Sequence, residues 1–195
     1  MAFIMRSSVN NKAFSFCIVA LIWLLPISVY ADAFAVAVKR AELNVQGDRY
    51  VLSADIDYRL SPRAKEALQN GVSLFWVVQI KVWQQRDYFW DKRLVYKEVR
   101  YRIQYHALLN MYRVRNESSG EVDNFSTLPA ALDLMSRVRD IQVIDRADLL
   151  AGERYLAGVK VSFDRDALPL PLRPAAYVNP QWYLSSDWYV WSLKN

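Results

Sequence analysis

The chain has 195 residues, a formal net charge of +5 and 53% hydrophobic residues. Its single histidine, single cysteine and five glycines exclude a multi-histidine metal site, an internal disulfide framework and a glycine-rich phosphate loop. Arg6 and Lys12 lie before residue 31 and account for part of the positive excess, and the weak bias that remains does not call for nucleic acid.

The N-terminus reads as a signal peptide. Arg6 and Lys12 are the only charged side chains before an apolar stretch, 14–29, and Val29-Tyr30-Ala31 supplies a cleavage site after Ala31. The stretch is shorter than the ~20 residues of a typical membrane span, and Pro26 interrupts it. An uncleaved anchor is the alternative, and it would be the chain's only membrane contact. The expected organisation is a leader, 1–31, and one globular domain, 32–195. The location is the periplasm by the general secretory route, or the inner membrane if the leader is retained. Cys17 lies in the leader, so cleavage leaves a domain without thiols that depends on its core, rich in Trp, Tyr and Phe.

After the leader the pattern alternates with period two, as half-buried strands do. Ala41, Leu43 and Val45 alternate with polar residues. A turn at Gln46-Gly47-Asp48 follows, and then Leu52, Ala54, Ile56, Tyr58 and Leu60 alternate again, which predicts a hairpin. Ser61-Pro62 opens a short helix that Gly71 closes. Leu74, Trp76, Val78, Ile80 and Val82 share one face of a central strand, with Phe75, Val77, Gln79, Lys81 and Trp83 on the other. A turn with Tyr88, Phe89 and Trp90 leads to a long strand whose outer face holds Glu98, Arg100, Arg102, Gln104 and His106. Leu109 to Arg115 continues as a strand, and Glu121 to Phe125 pairs back.

A second helix starts near Thr127, with Ala131, Leu134, Met135 and Val138 on its apolar face. Strands at Ile141–Ile144 and Ala157–Phe163 follow. Leu168-Pro169-Leu170-Pro171-Leu172-Arg173-Pro174 is expected to be extended, because each proline fixes its own backbone and pushes its predecessor towards β or polyproline geometry. Trp182 to Leu193 is expected to form the last strand or hairpin. The fold class that results is mainly β: an antiparallel β-sandwich, immunoglobulin-like, with two short helices, or a partly closed barrel.

No catalytic motif is present. His106 reads as a strand histidine on a polar face, with proton transfer as its functional alternative. Asp55 and Asp57 share a face and read as solvent positions, with acid–base work or calcium binding as the alternative. Asp140, Asp145 and Asp148 among Arg137, Arg139 and Arg146 read as a salt-bridged surface. The best candidate surface is the basic stripe Arg100, Arg102, Arg113 and Arg115, joined by Lys97, facing an acidic partner or anionic headgroups. Trp83 and Trp90, with Tyr88 and Phe89, could instead stack a sugar or small ligand. No cofactor is called for.

The leader, the Leu168–Pro174 stretch and then Trp182, Leu184, Ser186, Trp188 and Trp191 together resemble a proteobacterial family of exported proteins of unknown function, labelled proline-rich signal-peptide proteins. Tyr101, Tyr105 and Tyr112 to Val114 also fit. The resemblance spans the chain and implies no catalytic residues. It does imply a context, because genes of this family neighbour an envelope-spanning sensor kinase of the nitrogen-regulation type. The expected function is therefore a non-enzymatic interaction module, an accessory to such a kinase with an envelope or inner-membrane partner. A glycan or small-ligand binder and a carboxylate-based envelope hydrolase are the alternatives.

Overall fold

The structure, a computed structural model, describes residues 35–86 and 90–193. The leader, the Ala31 cleavage site, Tyr88 and Phe89 lie outside the described residues.

Among the described residues, nine strands form two antiparallel sheets. The elements run β1 (Ala35–Gln46), β2 (Arg49–Arg59), α1 (Pro62–Gln69), β3 (Leu74–Gln84), β4 (Lys92–His106), β5 (Met111–Asn116), β6 (Val122–Phe125), α2 (Leu128–Ser136), β7 (Arg137–Asp145), β8 (Tyr155–Phe163), α3 (Arg173–Val178) and β9 (Tyr189–Leu193). The small sheet has the order β1-β2-β7 and the large one β6-β5-β4-β3-β8-β9. Their apolar faces meet in one core, and the sheets do not close into a barrel. Between β4 of the large sheet and β7 of the small one, a side chain makes a link: Lys97 Nζ donates to the Gln142 carbonyl at 2.6 Å.

Local chemistry explains the element boundaries. Gly47, at φ 60°, turns β1 into β2 across the register pair Gln46–Arg49. The Ser61 hydroxyl accepts from the Ala64 amide at 3.1 Å, and Pro62 occupies the first turn of α1. Gly71, at φ 81°, releases the chain into β3. On β3, Leu74, Trp76, Val78, Ile80 and Val82 are each at most 1% exposed. At roughly 1.5–3 kcal/mol per buried large apolar side chain, this one strand face contributes on the order of 10 kcal/mol. Ala157, Val159, Val161 and Phe163 of β8 extend it.

Trp76 is the hub of that core. Its ring meets Tyr58 of the small sheet edge-on at 5.6 Å and Phe163 at 5.1 Å, and Phe163 stacks on Trp182 at 5.9 Å. Its indole N–H, wholly buried, donates to the Leu184 carbonyl at 3.0 Å.

Three expectations are corrected. The stretch 168–174 is not extended: Leu170–Leu172 is a 3₁₀ turn and α3 follows at once, giving three short α-helices among the described residues instead of two. Prolines fit first turns, where no amide N–H is needed. Arg173 takes helical angles (φ −57°, ψ −50°) despite preceding Pro174. Packing outweighs the local preference: Ala176 is buried, and Arg173 Nε donates to the Leu168 carbonyl at 2.8 Å. Within Trp182–Leu193, only Tyr189–Leu193 is strand, because Trp182 and Leu184 are committed to the core. On α2, Ala131 and Met135 are buried, but Leu134 faces solvent and Val138 belongs to β7.

β7 is an edge of the small sheet and carries a bulge. Ile141 pairs with Leu52 and Val138 with Ala54, so Arg139 and Asp140 oppose Ser53 alone. Asp140 adopts φ 58° there. Such a bulge interrupts an otherwise open edge.

Two substitutions test this core. Trp76→Ala should lower unfolding free energy by about 3–5 kcal/mol in urea titration. The Tyr58 hydroxyl is buried with no hydrogen-bond partner among the described residues, and burial holds its pKa above the ordinary value. The folded state therefore keeps the phenol proton to higher pH than the unfolded chain does. Its contribution is complete below about pH 10 and declines as pH rises above it. Tyr58→Phe should leave neutral-pH stability unchanged or higher and remove that alkaline loss.

Candidate functional site: the outer face of the large sheet

The side of the six-stranded sheet turned away from the core is built by strand parity alone. On β3 it presents Phe75, Val77, Gln79, Lys81 and Trp83. Across the ladder, β4 presents Arg102, Arg100, Glu98, Tyr96 and Arg93 opposite them. Arg115 pairs with Arg102 and Arg113 with Gln104, so Arg100, Arg102, Arg113 and Arg115 come together on one face, whereas Lys97, opposite Ile80, has the other parity and does not join the stripe. On the other side of β3, Ser162, Lys160, Gly158 and Leu156 continue it.

This face is cationic and aromatic by turns. Its strands carry seven cations: Lys81, Arg93, Arg100, Arg102, Arg113, Arg115 and Lys160. Three carboxylates answer them: Glu98 on β4, and Glu117 and Asp164 just beyond strand ends. Arg100 pairs with Asp164 at 2.7 Å, and Glu117 takes Arg102 at 3.0 Å and Arg115 at 3.6 Å. Arg113 donates to Asn124 at 3.0 Å. Exposed pairs of this kind contribute about 0–1 kcal/mol, so they orient the guanidinium groups more than they stabilise the fold.

Aromatic rings fill the gaps between charges. Arg100 lies 4.8 Å from the centre of the Phe75 ring. Lys81 Nζ stands 4.4 Å over Trp188 and 5.5 Å over Tyr96, with Arg93 at 5.7 Å from Tyr96. Tyr96 hydrogen-bonds Glu98, and that bond raises the phenol's pKa. Gly158 makes the arrangement possible: a Cβ there would sit 3.1 Å from Trp83 and 3.3 Å from Trp188. Only a bare backbone lets both indoles approach the sheet this closely.

The other predicted residues are placed apart. Trp90 is 94% exposed and precedes β4, so it does not join Trp83, which is half-buried over Gly158. His106 ends β4, half-buried, with Nε2 unpartnered among the described residues. Asp55 and Asp57 do share a face, but Asp55 pairs with Arg139, and Asp57 with Arg59 at 3.1 Å and Lys39 at 3.5 Å. Arg137 and Arg49 engage Asp133 and Asp145 in further surface pairs. Among the described residues, no three His, Cys, Asp or Glu side chains are grouped to hold a metal ion.

A cleft of about 400 Å³ opens where the large sheet overhangs β7 and α2. Val99, Tyr101 and Val114 line it, with Glu121 and Asp123 from one segment and Arg137 and Arg139 from another. Burial, with a smaller effect from Glu121, raises the Tyr101 pKa. Both carboxylates come from the β5–β6 segment.

Sequence reading placed Lys81 on the same strand face as Trp83 but missed Tyr96, Lys160, Gly158 and Trp188 as members of the face, because these need the ladder register. A two-sheet β-domain with a cationic, aromatic outer face and no metal cluster among the described residues is thus the class of protein at hand. The chain belongs to the family described as domain of unknown function DUF4390, whose model matches residues 33–192. No curated protein matches it, and no solved structure does.

Gly158→Val should displace the two indoles and cost about 1–3 kcal/mol as overpacking. Thermal unfolding would read the loss, and tryptophan fluorescence the exposure of the rings.

Proposed function

We propose that this protein is a non-enzymatic interaction module of the cell envelope, exported by its leader, which docks an acidic surface of a protein partner on the outer face of its large sheet. The observation that carries the reading is the seven-to-three excess of cations over carboxylates on that face. That excess rivals the +5 net charge of the whole chain. Complementary charge steers association and selects partners, and half-buried rings between the charges add contact area that needs little ordering. The resemblance of the sequence to exported proteins encoded beside an envelope-spanning sensor kinase makes such a kinase the partner to test first.

The face can be reversed without touching the core. In cells, a photo-crosslinker at Lys160 should capture the kinase ectodomain, and Arg100→Glu/Arg113→Glu should abolish capture and change the kinase's phosphorylation output. Capture should also weaken with added salt, since exposed charges are screened beyond about 10 Å at 0.1 M ionic strength. Undiminished capture and output in the reversed variant would discard this reading.

A further inference from the structure

The strand termini place a distinctive set of side chains at one end of the domain. There β1 begins, with Ala35 paired to Arg59, and there lie α1 with its loop into β3, the β4–β5 turn and the crossover 164–184. Gly71 of the α1–β3 loop lies against the Tyr105 carbonyl, and its own carbonyl accepts from Gln104 at 3.3 Å, tying loop and turn together.

The β4–β5 turn holds Leu108 and Leu109, the first fully exposed and the second 60% exposed. Turn tips favour Gly, Asn, Asp and Ser, so two leucines here need a reason. They are held outward by a built turn. The Leu109 amide donates to the His106 carbonyl at 3.1 Å and that of Asn110 to Ala107 at 3.2 Å. Asn110 takes φ 50°, and its side chain accepts the Tyr105 hydroxyl at 2.7 Å. On the crossover, Leu170 and Val178 are also exposed.

The surroundings are those of a membrane interface. Arg165 sits between two exposed tyrosines, 5.0 Å from the Tyr177 ring and 5.3 Å from that of Tyr183. Rings with an apolar body and a polar tip favour the headgroup level of a bilayer. The carboxylates of this end are taken: Asp57 by Lys39 and Arg59, Glu66 by Arg63, Asp164 by Arg100 and Asp166 by the Tyr177 hydroxyl. Lys65, Arg165 and Arg173 make no ion pair among the described residues. Exposed apolar tips beside cations that no carboxylate neutralises are complementary to an anionic bilayer, which offers an acyl boundary under a negative headgroup layer. In sequence, the apolar stretch 14–29 ends six residues before Ala35, where β1 starts.

We propose that this end of the domain rests on an anionic bilayer surface, with Leu108 and Leu109 entering the acyl boundary and Lys65, Arg165 and Arg173 meeting phosphate headgroups. The contact belongs to the folded domain and does not need the leader. It uses residues other than those of the outer sheet face, so the two readings stand or fall separately.

Among the described residues, every core side chain lies between Val36 and Leu193, and Asp32–Asn195 is one compact unit, so residues 32–195 are the unit to test, free of the leader's own affinity for membranes. This segment should cosediment with vesicles of phosphatidylethanolamine containing about 30% phosphatidylglycerol, and less with neutral phosphatidylcholine. Leu108→Ser/Leu109→Ser should weaken binding at least about tenfold while leaving the unfolding midpoint unchanged, because neither side chain is packed. The segment has no cysteine of its own, so a dye on Leu108→Cys should report an apolar environment only when the anionic vesicles are added. Arg113→Glu/Lys160→Glu, on the sheet face, should bind vesicles as the parent does. The proposal is overturned if the parent does not bind, if the serine variant binds equally, or if the sheet-face variant alone loses binding. It is also overturned if the leucines instead mediate self-association that the serine variant abolishes.

Discussion

One buried hydrogen bond organises the domain. Trp76 lies at the centre of the large sheet with no solvent exposure, and an indole N–H in such a place must find an acceptor or cost about 1–3 kcal/mol. The acceptor comes from 108 residues away, the Leu184 carbonyl. Satisfying it draws the C-terminal crossover over the end of the core, where Trp182 stacks on Phe163. It also delivers the chain to the free edge of β8, where Ser185 and Ser186 hydroxyls accept from the Phe163 and Val161 amides at 2.9 Å. Only then can β9 continue the ladder. The outer face depends on the same event, since Trp188 is carried there by this path.

The two faces of the large sheet therefore divide their labour by parity. One parity of β3 is apolar from Leu74 to Val82 and closes the core; the other carries Lys81 and two aromatic rings and is turned away from it. A single strand thus links packing and recognition, and its position between β4 and β8 sets the register of both.

Much of this was legible in the residues. The period-two pattern of β1 to β3 and β8, the Ser61 cap and the Gly47 and Gly71 turns are local signals, and each appears where the pattern placed it. The stripe of arginines was legible as well, because β4 and β5 are joined by a short turn. What was hidden depended on long-range packing. Arg173 turns helical against the preference of a residue before proline because Ala176 has a buried place to fill. Trp188 joins the face through Gly158, and neither residue alone announces the other. The ion pairs that occupy Arg100 and Arg102 come from Asp164 and Glu117, whose partners only the fold can assign. Leu109 looks like the start of a strand in sequence, and with Leu108 it becomes a tip because Asn110 closes the turn beneath them.

The two-against-one step at Arg139 and Asp140 has a consequence for heredity as well as for form. A second register shift, between Tyr50 and Val51, leaves Val143 unmatched, so the ladder along β7 is broken twice. Regular unpaired edges recruit their neighbours. Loss of either codon would remove one of the two breaks and leave the other to blunt the edge against copies of the chain.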